Sequence, residues 1–232
     1  MNWIKRLFGY FSKGEIVLWG ASVAFVLLSF FAFDRENYLT LIASLIGVTS
    51  LIFNAKGNPI GQILMVIFSI LYGIISFTFS YYGEMITYLG MTMPMAVLAL
   101  ISWLRNPYNG NKSEVRVNCI RGREWLLASL LTIAVTVLFY CILKAFRTAN
   151  LLPSTLSVTT SFAAVYLTWR RSPYFALAYA ANDVVLIVLW VMASISDLRY
   201  VSVVVCFVAF LVNDVYGFVN WKTMQKRQAT GK

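Results

Sequence analysis

Two carboxylates stand inside otherwise uncharged apolar stretches, Asp183 and Asp214, and each directly follows an asparagine, Asn182 and Asn213. An acid near the middle of a membrane-spanning helix costs about 2.5–3.5 kcal/mol, so it turns to protein or to a water-filled cavity instead of lipid. Helical spacing gathers further groups around them. Tyr179, Asp183 and Trp190 fall at i, i+4 and i+11 on one face, with Phe175 and Asn182 on its shoulder. Asn213, Tyr216 and Asn220 fall at i, i+3 and i+7, and Trp221 follows. Upstream, Gln62, Ser69, Ser76 and Gly83 recur every seven residues with Tyr72 beside them, a stripe assigned to one helix. Rings that stack, with amides and carboxylates that bond hydroxyls, suit a ligand made of a flat heterocycle and a sugar.

Structural roles are open to the same residues. Gln, Ser and Gly on a membrane helix also serve interhelical packing and hydrogen bonding, and the Asn-Asp pairs would serve as a buried interhelical clasp. Trp103 and Trp221 sit where interfacial tryptophans occur whatever the function. Two membrane aspartates also raise an intramembrane aspartyl protease, in which paired carboxyls share a proton. Such enzymes resemble one another in Tyr-Asp and Gly-x-Gly-Asp settings, whereas both acids here follow Asn. The chain has no histidine, which removes the base of a serine protease and the usual ligand of a metal one. The chain is therefore read as neither an enzyme nor a metal or cofactor protein. Its three cysteines, Cys119, Cys141 and Cys206, are an odd number and imply no disulfide framework.

The elements that must carry these residues follow from the charges. Of 28 formal charges in 232 residues, all but Asp183 and Asp214 lie outside eight windows: 16–33, 37–55, 57–83, 85–104, 125–143, 148–169, 172–196 and 200–221. A helix needs about 20 apolar residues to cross the hydrocarbon core, so each window reads as a transmembrane helix and a soluble enzyme is excluded. With eight spans, one side collects 15 of the 19 cations: Lys5, Arg6, Lys13, Lys56, Arg105, Lys112, Arg116, Arg121, Arg123, Arg170, Arg171, Lys222, Lys226, Arg227 and Lys232. The other side keeps Arg35, Lys144, Arg147 and Arg199 with Asp34, Glu36, Glu84 and Asp197. The excess of cations on one side places both termini in the cytoplasm and makes the net charge of +10 a matter of topology, with no nucleic-acid partner required. The first window ends at Phe33-Asp34-Arg35-Glu36 without a small-residue cleavage site and reads as a retained anchor.

Short connections make sequential helices antiparallel neighbours, and only 105–124 is long. The expected division is 1–36 for the N-terminus and an extra first helix, 37–104 for a three-helix bundle, 105–147 for a cytoplasmic loop and linker helix, 148–221 for a second three-helix bundle, and 222–232 for a cytoplasmic tail. The two bundles share an order. Lys56 precedes Pro59 as Arg170-Arg171 precede Pro173, the helices so begun end at Glu84 and Asp197, and the next ones close on Trp103 and Trp221. A unit used twice in one orientation, with a site at its interface, is a transporter architecture.

Asn213-x-x-Tyr216-x-x-x-x-Trp221 resembles the signature of the PnuC-type nicotinamide riboside transporters, and Tyr81-Tyr82-Gly83-Glu84-Met85, Pro94-Met95 and Trp103, headed by Ala55-Lys56-Gly57, resemble the same family's first bundle. The resemblance runs from about Leu39 to Gln228. It implies an all-α, three-plus-one-plus-three core related to the sugar-transporting SWEET proteins, often with an added first helix, assembled as a homotrimer in a bacterial inner or plasma membrane. It further implies facilitated diffusion of a vitamin precursor for NAD salvage, drawn inward by a cytoplasmic kinase. The family's other signature, Trp-x-x-Trp-x-x-x-Asn/Asp, falls on Ala176, Tyr179 and Asp183: the acid is kept and both tryptophans are replaced. Relatives that carry thiamine, riboflavin or deoxynucleosides leave the cargo open, and a binding subunit docked on a separate energising complex is the alternative from another class. The expected substrate-binding set is Gln62, Tyr72, Tyr179, Asn182, Asp183, Trp190, Asn213, Tyr216, Asn220 and Trp221, and Asp183→Ala and Asn213→Ala are expected to lose binding.

Overall fold

The computed structural model describes residues 9–78, 82–148 and 150–231, so Lys5, Arg6 and Lys232 of the charge sorting and Tyr81 of the family motif lie outside the described residues. Among those described, eight helices are long and apolar enough to cross a membrane. They are α1 (Lys13–Phe33), α2 (Tyr38–Ala55), α3 (Ile60–Thr78), α4 (Tyr82–Leu104), α5 (Gly122–Ala145), α6 (Leu151–Trp169), α7 (Tyr174–Ser194) and α8 (Val201–Thr230). Between α4 and α5 an antiparallel hairpin pairs β1 (Pro107–Tyr108) with β2 (Asn111–Val115), turning through Asn109 and Gly110, both at positive φ.

Local chemistry sets several of the boundaries. Ser12 and Glu15 form a reciprocal capping box at the start of α1. The Asn37 side chain accepts the Thr40 amide at the start of α2. Within α4 the ladder widens to a π turn over Tyr88–Thr92 just before Pro94, whose missing N–H cannot continue a regular ladder.

Three sequence expectations are corrected. Gly83 does not extend the α3 stripe, and Glu84 does not end that helix: α3 stops at Thr78, and both residues lie in the first turn of α4. Nor does Glu84 stand in an outer loop, because it is buried. A charge was read as a loop marker, whereas burial among other side chains lets it sit inside a span. Finally, 222–230 is no separate tail but a continuation of α8, held against the hairpin by an Arg227–Glu114 ion pair and by Gln228, which accepts the Val117 amide at 2.8 Å and donates to the Val115 carbonyl at 3.1 Å.

Helices α2, α3 and α4 pack in sequence, as do α6, α7 and α8. The two sets meet twice, α8 on α2 and α4 on α6, while α5 lies outside on α6 and α1 covers the seam of α8 and α2. The two meetings repeat one another bond for bond. The Trp221 indole donates to the Asn54 carbonyl at 2.8 Å, and the Trp103 indole to the Thr168 carbonyl at 2.9 Å. The residues before them do likewise: Asn220 Nδ2 donates to Ala55 O at 2.7 Å and Ser102 Oγ to Trp169 O at 2.9 Å. The acceptors in each pair are 114 residues apart, as are Gly57 (φ 66°) and Arg171 (φ 58°), which make the same left-handed turn into α3 and α7. The hairpin segment then bonds both turns, Val115 N to Gly57 O at 2.9 Å and Asn118 N to Arg171 O at 3.0 Å. At that end burial lowers the affinity of the Arg171 guanidinium for its proton, and Arg170 and Arg116 push the same way.

Close approach of α2 to α3 depends on Gly61. A Cβ there would stand 2.2 Å from Asn54 Oδ1 and 2.7 Å from the Asn54 nitrogen. The same contact lets Ser50 Oγ donate to Gly61 O at 2.8 Å and Gln62 Nε2 donate to Asn54 Oδ1 at 2.8 Å. Gln62 therefore serves the joint between these helices.

Candidate functional site

Asp183 is the tenth of 21 residues in α7, and Asp214 approaches it from α8. The carboxyls interact directly with one another. Both are buried, at 3% and 4% exposure. Among the described residues Asp183 Oδ2 finds no hydrogen-bond partner. Beside it, Asn182 is fixed from α6: its Oδ1 accepts from Thr160 Oγ1 at 2.9 Å and Ser161 Oγ at 3.0 Å, with Ser157 Oγ at 3.4 Å. A run of threonines and serines on one face of α6 thus orients a single amide, so Asn182 positions α7 as much as it offers a group to a ligand.

These acids border a cavity of about 20 Å³ that draws on both bundles. That is room for roughly one water molecule. Its walls are Leu51 of α2, Met65 and Phe68 of α3, Tyr88 and Thr92 of the α4 π turn, Ser161 of α6, Tyr179 of α7, and Phe207 and Phe210 of α8. Phe68 stands edge-on to Tyr88 with centroids 6.0 Å apart and tilts against Phe210 at 5.5 Å. The lining mixes polar groups, Thr92, Ser161, Asn182, Asp183 and Asp214, with aromatic rings, Phe68, Tyr88, Tyr179, Phe207 and Phe210.

Of the ten residues expected from sequence, the structure brings Tyr179, Asn182 and Asp183 to this cavity. Tyr72 packs one layer away, its ring 4.4 Å from that of Tyr88. Trp190 is seven residues beyond Asp183, roughly 10 Å along the axis, and lines a different small cavity. The remaining five hold helices together. Asn213 Nδ2 donates to Ser22 Oγ of α1 and to Ala209 O, both at 2.8 Å. The Tyr216 hydroxyl donates to Glu15 Oε1 of α1 at 3.0 Å, and Lys56 Nζ bonds the same carboxylate at 3.0 Å. Gln62, Asn220 and Trp221 make the joints described above. In helical terms Asn213 and Asp214 are adjacent and so point about 100° apart, which sends one to α1 and the other to the cavity.

Phe68, Tyr88, Thr92, Ser161 and Phe210 were missed. For the first, a signal existed. Subtracting the repeat interval of 114 from Tyr179 and Asn182 gives Met65 and Phe68, both on the cavity wall. Asp183 maps to Ser69, whose hydroxyl is spent on Met65 O at 2.8 Å, so the repeat keeps the position and varies the chemistry.

Eight helices long and apolar enough to cross a membrane, packed as two interlocked units that repeat one another's joints, define the class: a polytopic membrane protein of repeated helical bundles. The family model described as "Nicotinamide mononucleotide transporter" matches residues 37–223, and the chain belongs to that family. It is similar to the nicotinamide riboside transporter PnuC of Neisseria mucosa, 26% identical over 232 residues that cover 98% of this chain and 88% of that protein. The PnuC of Haemophilus influenzae is 24% identical and covered to 91%, as is this chain. Among solved structures, one titled "Crystal structure of the Vitamin B3 transporter PnuC" superimposes with a TM-score of 0.84 over 97% of both chains at 24% identity, and so shares the fold. The family match begins at residue 37, which leaves α1 outside it.

Proposed function

We propose that the chain takes up nicotinamide riboside, or a close nucleoside relative, through the cavity between its two bundles. The buried pair Asp183 and Asp214, with an oxygen of Asp183 unspent and aromatic rings lining the same cavity, carries this reading. Nicotinamide riboside is a pyridinium cation with a carboxamide and ribose hydroxyls. A carboxyl pair offers its acceptors to the hydroxyls and its charge to the ring, while Phe68, Tyr88, Tyr179 and Phe210 offer faces and edges to the heterocycle. Ligand pockets measure about 300–1,000 Å³, so a cavity of about 20 Å³ must open as the cargo enters. Rocking of one bundle, 37–104, against the other, 148–221, supplies that opening. The α4 π turn, which lines the cavity, interrupts the regular ladder of that helix and offers it a hinge.

The hairpin end and both termini face the cytoplasm of the cell membrane, in keeping with the 15 cations collected there. Transport is facilitated diffusion by a homotrimer, as the family resemblance implies, with a cytoplasmic kinase removing the product of entry. The test is uptake of radiolabelled nicotinamide riboside into proteoliposomes holding only this chain. Equilibration to the external concentration is the expected result, rising above it only when a nucleoside kinase and ATP are sealed inside. No uptake of any pyridinium or neutral nucleoside overturns the reading in favour of a subunit that needs an energising partner.

A further inference from the structure

A second cavity, about 30 Å³ in volume, lies toward the end away from the hairpin, between α4, the α5–α6 turn and α7. Glu84 and Thr148 face it, with Trp190 on its wall. Glu84 is 8% exposed, and its Oε2 and the Thr148 Oγ1 are both buried without a hydrogen-bond partner among the described residues. Lys144 and Arg147, the cations nearest along the chain to Thr148, are exposed, and no ion pair among the described residues engages Glu84. A carboxyl at more than nine-tenths burial is expensive, and beyond its place in the first turn of α4 no partner among the described residues accounts for its Oε2.

A stack of rings links this cavity to the one at Asp183. Trp190 stands edge-on to Tyr72 at 6.3 Å, and Tyr72 tilts against Tyr88 at 4.4 Å. Tyr88 borders the Asp183 cavity. Two acidic sites are thus separated by one aromatic layer.

We infer that Glu84 is an outer capture site for the cationic ring of a pyridinium nucleoside, which waits there until the Trp190–Tyr72–Tyr88 layer parts and passes it to Asp183. The inference rests on the transport reading above and adds a station to it. The cavity is smaller than a pyridinium ring, so the ring settles at its mouth, its charge over the carboxylate and its face toward Trp190, where a desolvated cation gains from both. Thr148 supplies a hydroxyl to the riboside or carboxamide edge.

Three substitutions separate charge from shape. Glu84→Gln keeps the shape and loses the charge, Glu84→Asp keeps the charge and shortens the arm, and Glu84→Ala loses both. Initial rates of nicotinamide riboside uptake into proteoliposomes are measured for each, with melting temperatures to confirm folding. The expected result is a KM raised roughly three- to tenfold in Gln and Ala alike, a KM near wild type in Asp, and Vmax retained. A Gln variant indistinguishable from wild type, or an Asp variant as impaired as Ala, overturns the capture site while leaving transport intact. If the Glu84 variants do not fold, Thr148→Val takes their place: a raised KM supports the site, and an unchanged one overturns it. Wild-type protein that moves no pyridinium nucleoside sinks the transport reading itself, which these variants do not address.

Discussion

Removing the Asp183 side chain tests whether the buried pair binds cargo or merely joins α7 to α8. If it binds, Asp183→Ala lowers affinity for nicotinamide riboside by roughly 10- to 100-fold, the worth of a hydrogen bond to a charged group, while Asp183→Asn loses less for any neutral nucleoside than for the cation. Calorimetry on the detergent-solubilised protein reads both. If the pair is only a clasp, the two variants lose stability and keep affinity. Asp183 and Asn182 were legible in the sequence because a charge in an apolar window is rare enough to need a reason. Phe68, Tyr88 and Phe210 were not, since any of 17 phenylalanines and 13 tyrosines in a membrane helix can face lipid, a neighbour or a cavity, and only packing decides which. Asn213 and Tyr216 stood at the right helical spacing and still went elsewhere, because spacing fixes a face but not what that face meets.

At the scale of the element, α1 is the informative case. It packs on α8 and α2 through Glu15, which takes Lys56 and Tyr216, and through Ser22, which takes Asn213. Glu15 is 3% exposed, so its loss strands an ammonium and a phenol together. Glu15→Ala and Asn213→Ala are each predicted to cost about 1–3 kcal/mol and to leave the KM for nucleoside unchanged, since neither borders the cavity. Thermal denaturation beside uptake kinetics separates the two effects. A raised KM in Asn213→Ala would return that residue to the binding set. The eight spans themselves could be read from where charges are absent, apart from the start of α4, where Glu84 is buried after the chain has already turned. The α8 extension to Thr230 was hidden for the opposite reason: Lys222–Arg227 look like a solvated tail, and only the hairpin that receives them makes them a helix end.

For the whole molecule the decisive feature is reciprocity. Each bundle ends in a tryptophan whose indole bonds the last turn of the other bundle's first helix, Trp221 to Asn54 and Trp103 to Thr168, and both rings are about 1% exposed or less. The rings also meet one another at 5.4 Å, with Phe175 packed on both. Two bundles joined in this way cannot part at the hairpin end without giving up both bonds. Trp103→Ala and Trp221→Ala are each predicted to cost about 3–5 kcal/mol. The costs should not add, because the first truncation already opens the space that the second ring fills. In the double variant the loss falls short of the sum by about 1 kcal/mol or more, read from denaturant unfolding in detergent. Strictly additive losses would mean that the two joints act independently.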